Sequence, residues 1–164
     1  MKFLHHGIWL VIAALLQVTL LGGIEVFGIS PNLFLVFTVV IGFLCGRLQG
    51  MVTGMVFGLV YDILVGRFIG TSMFSFLFIG YFSAVFSDRY YAQPSFYIFS
   101  LMAAAATIIA GVVYLVPNSV VYNASILLTV FRIIIPECIY NGLLIIPVVF
   151  LVNRTLALCG IRKI

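Results

Sequence analysis

A chain of 164 residues, 65% hydrophobic and 7% charged, with a mean hydropathy of +1.33, carries more apolar surface than a water-soluble core of this size hides. Its net charge of +4, from eight Lys/Arg against four Asp/Glu, forms no basic cluster or aromatic-interleaved stripe, which argues against nucleic acid as a partner. Lipid is the solvent that fits, and the expected fold class is all-α: a polytopic membrane bundle of about six transmembrane helices in one integral domain over residues 1–164.

The opening "MKFLHHGIWLVIAALLQVTLLGG" has the positive end and apolar middle of a signal peptide, but further spans follow it, so it reads as a retained first helix over 8–27. Trp9 suits an interfacial anchor at its start, and Glu25 is expected at headgroup depth. In "GISPNL", Ser30-Pro31-Asn32 supplies turn and helix-start residues. The second and third spans, 33–45 and 49–65, form one apolar stretch broken only by Arg47 and Gln49. Two short, tightly joined helices are the preferred reading, with a tilted or partly re-entrant pair as the other. The fourth span, 69–86, ends at "SDRYYAQPS", where Tyr90, Tyr91 and Tyr97 suit an interface. The fifth, 95–116, is expected to stop at Pro117-Asn118. The sixth, 125–152, is long for one straight helix, and Pro136 and Pro147 are expected to kink it, since each removes an amide donor and crowds the preceding turn.

With the N-terminus in the cytoplasm, the inner side holds Lys2, Arg47, Arg89, Arg154, Arg162 and Lys163, the outer side holds only Arg67, and Arg132 lies within the membrane. That asymmetry places both termini in the cytoplasm, favours an even number of spans, and leaves basic residues against anionic lipid headgroups. The expected location is the plasma membrane. Every connection is short, leaving no room for a soluble catalytic domain. No Walker sequence occurs, and neither Ser nor Cys has an evident His partner. Cys45, Cys138 and Cys159 make no framework, and no Cys/His spacing suggests a metal. No cofactor is expected, and the chain reads as a non-enzyme.

Glycine recurs at Gly42, Gly46, Gly50, Gly54 and Gly58, followed by Asp62 and then Gly66 and Gly70. Four-residue spacing keeps small residues near one helix face, where backbones approach closely. Gly46, Gly50, Gly54 and Gly58 are therefore candidates for helix packing within the bundle, with a partner interface or a ligand-lined groove as the competing readings. Asp62 lies one turn beyond Gly58. An ionised carboxylate deep in the bilayer costs roughly 2.5–3.5 kcal/mol on insertion scales, so it should meet water, Arg67 or a partner across the bundle. In "FRIIIPECIYN", Arg132, Pro136, Glu137 and Asn141 gather cationic, kinking, anionic and amide groups, and Glu137 and Asn141 share a face at i, i+4. Arg132 either reaches an acid such as Asp62 on another helix or snorkels to a headgroup. Asp62, Arg132, Pro136, Glu137 and Asn141 thus form a candidate intramembrane polar network, structural or partner-binding.

With these features assembled, the chain resembles the bacterial rod shape-determining MreD family. The likeness rests on the first apolar helix, on "SPNLFLVFTVVIGFLCGRLQGMVTGMVFGLVYDILVGRFIGTSMFSFLFIGYF", and on "FRIIIPECIYNGLLIIPVVFLV". Pro31, Gly46, Gly50, Gly54, Gly58, Asp62, Gly66, Gly70 and Gly80 fit a proline-led second helix followed by a Gly-rich hairpin that ends in Asp and Gly. Arg132, Pro136, Asn141 and Pro147 fit the final helix. Asn32 stands where the family often has an acid. The resemblance implies a non-enzymatic component of the rod or elongation complex, working beside MreC, the actin-like MreB, a penicillin-binding protein and a RodA-type polymerase to maintain cell shape. It also implies a fold similar to the six-helix substrate-binding subunits of vitamin importers, a fold-level analogy only. The runner-up function is such a substrate-binding subunit of a small-molecule transporter.

Overall fold

The computed structural model describes residues 2–21, 30–66, 68–89, 95–122 and 129–158. Within them the chain forms six α-helices: α1 (Lys2–Leu16), α2 (Leu33–Cys45), α3 (Arg47–Val65), α4 (Thr71–Arg89), α5 (Phe96–Tyr122) and α6 (Ile135–Leu158). A π-helical turn, Gln17–Leu21, extends α1, and another, Val130–Ile134, leads into α6. Glu25, Arg67, Tyr90, Tyr91, Cys159, Arg162 and Lys163 lie outside the described residues.

Apolarity on every side explains the position of α2. Its sequence, LFLVFTVVIGFLC, has no polar face, and every residue from Pro31 to Phe43 is buried. A helix apolar all round belongs in the middle. It packs against α3 and α4 on one side, α5 and α6 on another, and α1. Aromatic contacts fill the remaining space: Phe34 meets Phe57 edge-on at 5.8 Å, and Phe43 meets Phe99 at 4.7 Å. Trp9 also turns inward, 5% exposed and 5.2 Å from Phe37, so it is a core residue instead of the interfacial anchor that its place in the sequence suggests. The central helix offers an aromatic face there that outweighs the interface.

The α2–α3 hairpin turns in a single residue. Gly46, at φ 98°, ends α2 and starts α3, a conformation that L side chains rarely adopt. α4 is built in reverse of a soluble helix. Ser72, Ser75, Phe76, Ile79, Gly80, Ser83, Ala84 and Ser87 face inward, while Phe74, Phe78 and Phe82 are exposed. Apart from Phe76 and Ile79, small residues lie inside and large apolar ones outside, the pattern expected when lipid surrounds the bundle.

Three helical stretches among the described residues are long and apolar enough to cross a membrane: Arg47–Val65, Phe96–Val116 and Val130–Thr155. The chain is an all-α, multi-span membrane protein. α5 continues past Pro117 to Tyr122, where the sequence suggested a stop; membrane helices carry proline without breaking when freed backbone groups find other partners. At Pro136 the accommodation is visible. Proline donates no hydrogen bond, and the preceding amide, Ile135, reaches back five residues to the carbonyl of Val130, widening the turn.

Candidate functional site

The start of α2 lies inside the protein. At 13 residues, α2 is about 20 Å long, short of the roughly 30 Å hydrocarbon core. Its open N-terminal amides therefore need partners that water does not supply. Three side chains provide them. Asn32 caps its own helix, its side-chain oxygen accepting from the Leu35 amide at 3.1 Å. Gln17, at the π-turn of α1, accepts from the Leu33 amide at 3.0 Å and donates to the Pro31 carbonyl at 2.9 Å. Asn141, from α6, accepts from the Asn32 amide at 2.8 Å and donates to the Thr107 hydroxyl of α5 at 2.9 Å. The Thr107 hydroxyl in turn donates a hydrogen bond to the Ala103 carbonyl at 2.8 Å. Four helices are thereby joined at one level, and Asn141 and Asn32 are 0% and 2% exposed.

The strengths of these bonds are unequal, which yields a prediction. Side-chain hydrogen bonds between membrane helices average about 0.6 kcal/mol, whereas a buried donor left unpaired costs about 1–3 kcal/mol. Asn141→Leu removes both bonds and strands the Asn32 backbone amide, which the helix start fixes in place, while Thr107→Val removes one bond and strands one N–H of the Asn141 side chain, which can re-aim. We expect Asn141→Leu to lower the thermal midpoint of the detergent-purified protein clearly more than Thr107→Val. Equal shifts would mean that the Asn32 amide finds another acceptor.

Asp62 anchors the start of α4. Its carboxylate, fully buried, accepts from the amides of Gly70 (2.9 Å), Ser72 (3.1 and 3.2 Å) and Met73 (3.4 Å), the first turn of α4. A negative charge there also suits the helix dipole. Gly66, at φ 68°, closes α3 by donating to the Asp62 carbonyl, so Asp62 fixes both sides of the α3–α4 turn. The other end of this helix pair carries the Arg47–Asp88 ion pair, at 2.8 Å and partly exposed, worth about 0.2–1 kcal/mol.

Between these anchors α3 and α4 touch backbone to backbone. A Cβ on Gly50 or Gly42 would fall 2.5 Å from the Gly80 carbonyl oxygen, one on Gly54 would strike the Phe76 carbonyl, and one on Gly58 the Ser72 carbonyl. Gly50, Gly54 and Gly58 thus lie against α4 inside the bundle, and Gly46 is a turn residue instead of part of the seam.

Three of the five polar candidates come around one small cavity: Glu137 lines it together with Asn32, whose amide donates to Asn141, and Ser72, whose amide donates to Asp62. Asp62 is surrounded by amides of α4, and Asn141 sits at the α2 start. Glu137 is buried in the first turn of α6 and, with Asn32, Ser72 and Tyr114, lines a cavity of about 10 Å³, room for a water at most. Pro136 belongs to the widened turn. Arg132 is exposed beside Phe131 and makes no ion pair among the described residues, so it does not reach Asp62. The sequence alone does not mark Gln17, Thr107 and Asp88 as partners in these contacts. A glutamine in the middle of an apolar span was the available signal for Gln17; nothing local marks Thr107 or Asp88. Among the described residues no group of His, Cys, Asp and Glu could hold a metal.

A family model described as rod shape-determining protein MreD matches residues 1–158. No curated protein and no solved structure matches. The chain belongs to the MreD family, as a non-enzymatic, multi-pass membrane component with a rod shape-determining role.

Proposed function

We propose that this MreD-family chain is a six-pass scaffold in the bacterial plasma membrane, with both termini in the cytoplasm, that positions wall-elongation machinery through contacts made within the bilayer. The partners are MreC, with MreB, a penicillin-binding protein and a RodA-type polymerase reached directly or through it. Support for the topology comes from the alternation of α2, α3 and α4. The Gly46 turn and the end of α4 share one face through Arg47 and Asp88, with Arg89 beside them, and the α3–α4 turn lies on the other. Likeness to importer subunits extends in this proposal to helix number only.

In this assignment Gly46, Gly50, Gly54, Gly58, Asp62, Pro136, Glu137 and Asn141 fix the bundle's shape, and partner contact falls to its outer surface. The observation that carries the assignment is Arg132: an exposed cation, without an ion pair among the described residues, in the membrane-length stretch Val130–Thr155. Such a group is costly among acyl chains and stabilised by an acid or polar group of a partner helix. Arg132→Gln is expected to reduce recovery of the partner from native membranes several-fold while leaving the amount of inserted protein unchanged. Undiminished recovery would remove Arg132 from the interface.

The transporter alternative needs a pocket of about 300–1,000 Å³ with convergent polar groups. The polar cavity at Glu137 is far smaller, and no observation favours that alternative.

A further inference from the structure

The helices do not pack equally. α3 and α4 meet at backbone distance and α5 packs along α6, while α4 and α5 touch over a smaller area. Between them lies a groove of about 200 Å³, with Ile79 and Ser83 at its floor and Phe82, Phe86, Leu101 and Ala105 along its sides and rim. Ser83 is the only residue in this lining with a polar side chain. Engineered apolar cavities of ~150 Å³ stay dry and take hydrocarbon guests. A groove of this size on the flank of a membrane protein is filled by hydrocarbon.

A charge at one end says which hydrocarbon. Arg89 is the last residue of α4, three residues beyond Phe86 and seven beyond Phe82, and so on the groove side of the helix. It is exposed. Among the described residues no acid pairs with it: Asp62 and Glu137 are buried elsewhere, and Asp88 is held by Arg47. We propose that the α4–α5 groove is a binding site for an anionic phospholipid, one acyl chain lying between Phe82 and Leu101 and the phosphate headgroup on Arg89. A zwitterionic lipid offers the same chain, so Arg89 supplies headgroup selectivity and the groove supplies chain retention.

The test uses the full chain released from nanodiscs containing equal phosphatidylglycerol and phosphatidylcholine, with retained lipid measured by native mass spectrometry. The wild type should retain phosphatidylglycerol at least threefold over phosphatidylcholine. Arg89→Gln should bring that ratio close to one, and Arg154→Gln, on α6 and away from the groove, should keep the wild-type ratio. Ala105→Phe, which fills the groove from its rim, should lower retention of both lipids at least threefold. Equal retention of the two lipids by the wild type, or an unchanged ratio in Arg89→Gln, would overturn the proposal, and Arg89→Gln tests it even if Ala105→Phe fails to fold. A photoreactive residue in place of Ala105 should cross-link lipid in native membranes. A cross-link to a protein would instead assign the groove to a partner helix.

Discussion

Gly80→Val should abolish recovery of folded, monodisperse protein. A Cβ at Gly80 would run into the carbonyl of Gly50, and Gly50 has no side chain to move aside. Overpacking a core with an added methylene costs about 1–3 kcal/mol because side chains shift to admit it. Here the obstructing atoms are backbone on both sides, and relief requires the whole of α4 to move off α3. That motion would also pull the first turn of α4 away from Asp62. Gly54→Val should behave alike, against the Phe76 carbonyl. Gly7 provides the contrast: a Cβ there meets nothing within 4 Å, so Gly7→Ala should be neutral or stabilising by about 0.5–1 kcal/mol. Fluorescence-detected size-exclusion of tagged variants checks all three. A monodisperse Gly80→Val peak at wild-type height would mean that α3 and α4 do not touch in this way.

The second large effect is expected at Asp62. Asp62→Ala leaves the Gly70, Ser72 and Met73 amides without their acceptor in a position that is 0% exposed. At about 1–3 kcal/mol for each stranded donor, the two shorter bonds alone imply more than about 2 kcal/mol. Asp62→Asn keeps one acceptor oxygen for the same amides, so it should be milder. If Asp62 instead served mainly as a charge for a distant cation, the asparagine and alanine variants would be equally damaging. Thermal unfolding of the three proteins in one detergent separates the cases, and the predicted order of stability is wild type, Asn, Ala.

Much of the fold is legible in the sequence because apolar length and turn residues are local. The 33–45 span coincides with α2, and the Gly46 break is where the glycine pattern meets Arg47. The polar residues behave differently. Asp62 reads as a charge seeking water, Arg67 or a partner across the bundle; Arg67 lies outside the described residues, and the partners seen among those described are backbone amides, which no sequence pattern displays. Asn141 is visible as an amide in an apolar span, yet its partners Asn32 and Thr107 lie 109 and 34 residues away. Trp9 shows the same limit. Its place near a helix start suggests an interface, and only the packing of α1 against Phe37 reveals it as core. Glycine spacing marks α3 as a packing helix, whereas the facing Gly80 is a single glycine in a Phe- and Ser-rich segment and becomes meaningful only beside Gly50.

The central claim is that an inward-turned, rigid bundle serves as an in-membrane scaffold for wall elongation. Its most direct test is purification of the tagged chain from native membranes in mild detergent, with partners identified by mass spectrometry. The scaffold account predicts enrichment of MreC together with a penicillin-binding protein or RodA-type polymerase. Recovery of transporter ATPase subunits, without MreC or wall enzymes, would contradict it.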